Sequence, residues 1–297
     1  MDTRGRRRGI FFTIASAVLF GITPAFSRQA ILEGNRSETV ALCSTVIALA
    51  AIGGIIWERK TSLSVTRRQL FHLLWIGGIG QGGTSLFLYQ AYAYLPAGTA
   101  TLVHFLYPAL VYGALILFFH ERPRTEKLCS LGAAMAGLAV FLEPGTVSAM
   151  GLFFAVLSAL TFSSYMVGMD KAGMGELPSM TVVFYATLFA SVLLFLYNLM
   201  GGSLAGGIYA RGIFWAALCA LGSNVLGKLF LQQGIGMVGA GTAAVLSLFE
   251  PITSLVIGVL VCQDGWSLRK SLGCGLILGA VFVISGNGSG DQGKDVE

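Results

Sequence analysis

A stretch of this sequence occurs twice in the same order and register, and that repeat restricts the fold more than any other feature. Leu86, Phe87, Leu88, Gln90, Ala97, Gly98, Thr99, Ala100 and Pro108 return at one constant offset as Leu229, Phe230, Leu231, Gln233, Ala240, Gly241, Thr242, Ala243 and Pro251. A second echo joins Phe11, Phe12, Ser16, Ala17 and Phe20 to Phe153, Phe154, Ser158, Ala159 and Phe162. The chain therefore reads as two homologous halves. Each half holds an odd number of apolar runs long enough to span a bilayer, so the second copy must enter the membrane from the side opposite to the first. That arrangement suits alternating access.

The bilayer itself is inferred from composition. A 297-residue chain with 55% hydrophobic and 11% charged residues and a mean hydropathy of +0.77 carries more apolar surface than a water-soluble core can hide. Runs of about 20 apolar residues, enough to cross a ~30 Å hydrocarbon layer, recur about ten times. They must be helices, because lipid offers the backbone no partner and no run has the alternating pattern of a barrel strand. The expectation is an all-α membrane protein of ten transmembrane helices, built as two inverted five-helix repeats. The repeats are placed at residues 1–143 and 144–286, followed by a disordered cytoplasmic tail at 287–297. Arg4, Arg6, Arg7 and Arg8 before the first span imitate a signal peptide, but the copy of that span at Phe153 to Phe162 argues for its retention.

The net charge of +5 does not point to nucleic acid, since the basic residues lie in short loops. Arg59, Lys60, Arg67, Arg68, Arg122, Arg124, Lys127 and Lys171 join the N-terminal arginines on one side, against Arg28, Arg36, Arg211, Arg269 and Lys270 on the other. The positive-inside rule then places both termini in the cytoplasm of a multi-pass protein of the cytoplasmic membrane. The five cysteines have no metal-ligand spacing, so neither a metal nor a cofactor is expected. Nor is there a phosphate-binding loop or nucleophile elbow, and an enzyme is not expected.

Polar residues inside spans mark the candidate path, because each needs a partner or a cavity. Gln81, Ser85 and Tyr89 recur every fourth residue on the third span, and Asn224, Lys228 and Gln232 do so on the eighth, position for position. His104 and Tyr107 of the fourth span correspond to Ser247 and Glu250 of the ninth. Lys228 and Glu250 lie at comparable depth and are placed to pair, either as a structural tie or as a switch. Tyr89, Tyr92, Phe105, Phe249 and Tyr165 are candidates for an aromatic cage. Gly98 and Gly241 are expected to relieve the tight hairpins before the fourth and ninth spans, and Pro108 and Pro251 to kink those spans. Arg28 and Asp170, at equivalent helix ends, are expected to reach the interface.

With these residues in view, the chain resembles the EamA-type branch of the drug/metabolite transporter superfamily. The likeness runs over nearly its whole length. It is carried by "FLYPALVYGALILFFHERP" and "SLFEPITSLVIGVLVCQDG", with prolines at Pro108 and Pro251 and acidic residues closing the helices at Glu121 and Asp264. The resemblance implies a ten-helix inverted-repeat carrier with a central cavity, commonly exporting amino acids or related metabolites. The expected function is secondary-active transport of a small polar or amphipathic metabolite, with proton coupling left open. Uptake of a cationic amine and a lipid-handling intramembrane role are the alternatives. The expected partners are the small-molecule substrate, the lipid bilayer and protons; nucleic acid is not among them, and the oligomeric state is open.

Overall fold

Segments rich in Leu, Ile, Val, Phe and Ala, punctuated by glycine and short polar loops, satisfy their backbone groups internally only as helices. In the computed structural model every regular element among the described residues is helical. The structure describes residues 3–92, 94–95, 97–140, 148–174, 177–203, 209–262 and 268–286. The boundary between halves, Asp264 and the tail at 287–297 lie outside them, as does the side chain of Arg28.

The helices are α1 (Thr3–Leu32), α2 (Ser37–Arg59), α3 (Arg67–Leu74), α4 (Thr84–Tyr92), α5 (Ala97–His104), α6 (Tyr107–Phe119) and α7 (Thr125–Val140), then α8 (Ala149–Lys171), α9 (Ser179–Met200), α10 (Ala210–Cys219), α11 (Lys228–Val238), α12 (Ala240–Leu246), α13 (Phe249–Cys262) and α14 (Leu268–Gly286). Two π-helical segments, Trp75–Gly83 and Ala220–Gly227, join α3 to α4 and α10 to α11. They fall at matching places in the two sequence repeats. A π turn inside a long helix is uncommon and tends to sit at functional positions.

Among the described residues seven helices are long and apolar enough to cross a membrane, and Ser271–Val283 is a shorter apolar helix. Ten spans were expected. The run from α3 to α4 is diluted by glycines and glutamines, and α7, at 16 residues, covers only ~24 Å at 1.5 Å per residue.

Packing follows the repeat. α1 lies against α10, the second π segment, α11 and α13, while α8 lies against the first π segment, α4, α5 and α6. α1 of the first repeat is thus seated among elements of the second, and α8 of the second among elements of the first. α2 packs on α9 and α7 on α14, pairing elements that correspond in the sequence repeat. Small residues permit these approaches. A Cβ at Gly21 of α1 would stand 2.6 Å from the Glu250 carbonyl oxygen, and one at Gly137 of α7 would stand 2.8 Å from that of Gly273. Ser16 of α1 donates to the Gly227 carbonyl at 2.8 Å.

The glycine expectation at the hairpins is corrected. Gly98 and Gly241 lie within α5 and α12. The turn before α12 is made by Gly239, whose φ of +79° favours glycine. Gly241 serves packing instead: a Cβ there would meet Leu115 Cδ1 of α6 at 3.1 Å.

Candidate functional site

The apolar stretches 97–119 and 240–262 are each broken in mid-course. α5 ends at His104 and α6 begins at Tyr107; α12 ends at Leu246 and α13 begins at Phe249. Pro108 and Pro251 cause both breaks. Each lacks an N–H, and its ring would collide with the carbonyl four residues back, that of His104 or Ser247. The chain responds with tighter bonds, from Leu106 N to Val103 O at 3.0 Å and from Leu248 N to Val245 O at 3.1 Å. What sequence reading takes for a kink is an interruption, with Pro108 in the first turn of the new helix.

The first interruption holds a buried aromatic cluster. The His104 ring lies 5.4 Å from those of both Tyr107 and Phe162, and Phe162 stacks on Tyr165 at 5.6 Å. His104 Nδ1 stands 3.0 Å from Ser158 Oγ, which itself donates to the Ala155 carbonyl at 2.7 Å. The single hydroxyl proton of Ser158 is thereby used, so Nδ1 donates and Nε2 is the acceptor of the imidazole. The Tyr107 hydroxyl is buried. Ser247 and Glu250 of the second interruption stand beside it. His104, Tyr107, Ser247 and Glu250, which correspond in pairs across the repeat, therefore meet at one place, and Tyr165 joins them.

Lys228 and Glu250 do not pair. Lys228 Nζ donates to Asn224 Oδ1, one turn earlier on the same segment, at 2.5 Å, and Asn224 Nδ2 stands 3.4 Å from Ser44 Oγ of α2. The physical reason is lateral placement. α1 packs on both α11 and α13, and equal depth along two helices does not make them neighbours. Gln232, a turn beyond Lys228, is buried with its Oε1 unpartnered.

On the other stripe Gln81 is 5% exposed with neither amide atom hydrogen-bonded. Ser85 is half-buried. Tyr89 lies apart from the central aromatic cluster, packed with Leu86 against Ala41, Leu42 and Leu194, so among the described side chains, which do not include that of Tyr92, the cage does not form as one. Tyr89 instead lines a cavity of about 240 Å3 at the end of the bundle opposite the N-terminus, with Ser37, Glu38, Leu86, Gln90 and Tyr197. Sequence reading misses this cavity, because Glu38 and Tyr197 belong to no repeated motif. The available signal is Glu38 itself, an acidic residue beside an apolar run.

The N-terminal end of the bundle is tied differently. Lys171 at the end of α8 bonds Glu121 Oε1 at 2.6 Å and Asp170 Oδ2 at 3.3 Å, so Asp170 is paired rather than reaching alone to the interface. The Tyr112 hydroxyl accepts from Arg124 N at 2.8 Å. A Cβ at Gly9 would lie 2.6 Å from Met237 Cβ. Among the described residues no group of three or more His, Cys, Asp or Glu side chains is placed to hold a metal ion.

Comparison with known proteins adds the family context. The model of the EamA-like transporter family matches twice, over residues 7–142 and 149–286. An inner membrane transporter of Salmonella typhimurium, YicL, described as uncharacterized, is 25% identical over 295 residues, covering 94% of this chain and 95% of that one. An uncharacterized transporter of Archaeoglobus fulgidus is 24% identical over 216 residues, 70% of this chain and 75% of its own. A solved crystal structure superposes with a TM-score of 0.81 at 18% identity, covering 93% of this chain and 96% of its own.

Proposed function

The chain belongs to the EamA-like transporter family, and from that premise we propose that it is a secondary-active carrier. It moves a small polar or amphipathic metabolite, such as an amino acid or a related compound, outward by alternating access. The observation that carries this reading is the exchange of first helices between halves. With α1 seated in the second half and α8 in the first, two interrupted helices come together at their breaks. Two similar halves in inverted topology can rock between two equivalent arrangements about such a centre.

Ten crossings follow when α3 with α4, α5 with α6, α10 with α11 and α12 with α13 each count as one. The halves are residues 1–143 and 144–286. The arginine-rich loops put both termini in the cytoplasm. In this orientation the ties at Lys171–Glu121 and Gly9–Met237 lie at the cytoplasmic end and the cavity at the outer end, the disposition of an outward-facing state. Gln81, Ser85, Tyr89, His104, Tyr107, Tyr165, Asn224, Lys228, Gln232 and Glu250 line the path. His104 and Glu250, which exchange protons more readily than amides or hydroxyls, carry proton coupling.

Counterflow in liposomes tests the reading. Purified protein preloaded with unlabelled amino acids should accumulate the labelled compound transiently, without chemical change, and an imposed proton gradient should alter the rate. Absence of exchange across a panel of amino acids, amines and nucleosides overturns the carrier reading; exchange indifferent to the gradient overturns the coupling. Glu250→Gln should abolish the dependence on the gradient, and undiminished, gradient-dependent transport by this variant removes Glu250 from that role.

A further inference from the structure

The cavity at the outer end has a chemistry that the central interruptions do not explain. Glu38 is the charged residue in its lining. The carboxylate is held from two sides, by Ser37 Oγ donating to Oε2 at 3.1 Å and by Ser203 Oγ donating to Oε1 at 3.1 Å. Its backbone is held as well, with Asn198 Nδ2 donating to the Glu38 carbonyl at 3.2 Å. Among the described residues no basic side chain forms an ion pair with Glu38. Arg36, two residues earlier, donates to Ser203 Oγ at 3.4 Å. A half-buried carboxylate fixed in place and facing a cavity, with Arg36 reaching it only through Ser203, can take a cation directly.

The walls favour an organic cation over a hydrated metal ion. Tyr89 and Tyr197 line the cavity on different helices, and aromatic faces attract ammonium groups. Gln90 Nε2 donates to the Tyr197 hydroxyl, which anchors that ring across the space. At about 240 Å3 the cavity is smaller than the ~300–1,000 Å3 sites of drug-sized ligands, so it takes a small molecule.

We propose that this cavity binds the ammonium group of a small organic amine or amino acid, with Glu38 as counter-charge and Tyr89 and Tyr197 as aromatic walls. The proposal rests on the carrier reading only in taking the cavity for the outer mouth of the path. Binding itself does not depend on transport.

Calorimetric titration of the full-length protein in lipid nanodiscs tests it with three probes that share a ring: 2-phenylethylamine, phenylalanine and phenylacetate. The amine should bind, and phenylacetate should bind at least about tenfold more weakly, since its charge is reversed. Phenylalanine binding as well as the amine assigns the site to amino acids; binding of the amine alone assigns it to amines. Glu38→Gln should weaken amine binding at least about tenfold, and Tyr89→Leu about threefold, whereas Tyr89→Phe, which keeps the ring, should weaken it less. Should Glu38→Gln fail to fold, the Tyr89 pair carries the test. No binding of the amine to the wild type, equal binding of phenylacetate, or full affinity in Glu38→Gln or Tyr89→Leu overturns the proposal. Counterflow separates the two readings. Transport of another metabolite without amine binding removes the site alone, whereas amine binding without transport of any compound removes the carrier and leaves the site.

Discussion

The two π segments occupy matching places in the repeat and solve opposite problems. Trp75–Gly83 is built from glycine, and Gly77, Gly80, Gly82 and Gly83 bring it directly onto the backbones and side chains of α8 and α9. Ala220–Gly227 has Ala220, Ser223, Val225 and Leu226 at the corresponding positions, and it packs by side chains, with Ala220 and Val225 set against Ala48 and Ile52 of α2. Their polar residues differ in the same sense. Gln81 is left without a hydrogen bond, while Asn224 is bonded to Lys228 and approached by Ser44. One segment keeps close contact and an unsatisfied amide; the other keeps volume and a satisfied charge. Duplication supplied the shape of both, and divergence at these positions separated a tight, chemically open surface from a fixed polar tie.

Three substitutions probe that contrast, in order of the stability each should cost. Gly77→Leu comes first. A Cβ at Gly77 would stand 2.5 Å from the Ala186 carbonyl oxygen and 2.7 Å from Ala186 Cα, backbone atoms that have no rotamer to give. Overpacking of this kind costs about 1–3 kcal/mol, with the larger figure expected for the longer side chain. Gly222→Ala is the control within the second segment, where a Cβ meets nothing within 4 Å. It should leave the melting temperature of the purified protein unchanged or raise it slightly. Equal tolerance at both positions would erase the difference in packing.

Asn224→Ala comes next. It deprives Lys228, 8% exposed, of the acceptor that now holds its ammonium group. Removing one partner of a buried charge-assisted bond costs about 1–3 kcal/mol, toward the lower end in a membrane, where other polar groups can be recruited. Thermal unfolding should register the loss, and Asn224→Asp should restore stability by supplying a carboxylate. A melting temperature indifferent to both changes would mean that the Asn224–Lys228 bond holds nothing.

The fold was more legible in the sequence than the site, for reasons visible in these residues. Apolar periodicity and the repeat identify helices and their correspondence, and Pro108 and Pro251 mark the interruptions because a missing N–H acts locally. Lys228 and Glu250 were matched by depth, a coordinate along the helix axis; the seating of α1 against both of their helices is a lateral fact that no local pattern encodes. The π turns were hidden for a related reason. A glycine-rich run fits α and π registers alike, and the choice falls to what α8 and α9 press against it. Glu38 and Ser203, brought together by the first turn of α2 and the turn that follows α9, belong to no repeated motif.

Gln81→Leu carries the smallest expected cost in stability and the sharpest meaning. Both amide atoms of Gln81 are buried without partners, so the wild type already bears the penalty of an unsatisfied group. An apolar side chain of similar size removes that penalty, and the melting temperature should hold or rise by the equivalent of about 1 kcal/mol. If the amide is kept for substrate, counterflow should fall at least about tenfold in the same variant, since a site that hydrogen-bonds its ligand discriminates strongly against losing the bond. A stabilised protein that transports poorly separates function from folding at a single residue. A stabilised protein that transports normally would place Gln81 off the path and leave its polar stripe to Ser85 and Tyr89 of α4. The same substitution at the bonded position, Asn224→Leu, should lower stability and transport together, so the sign of the stability change alone distinguishes the two segments.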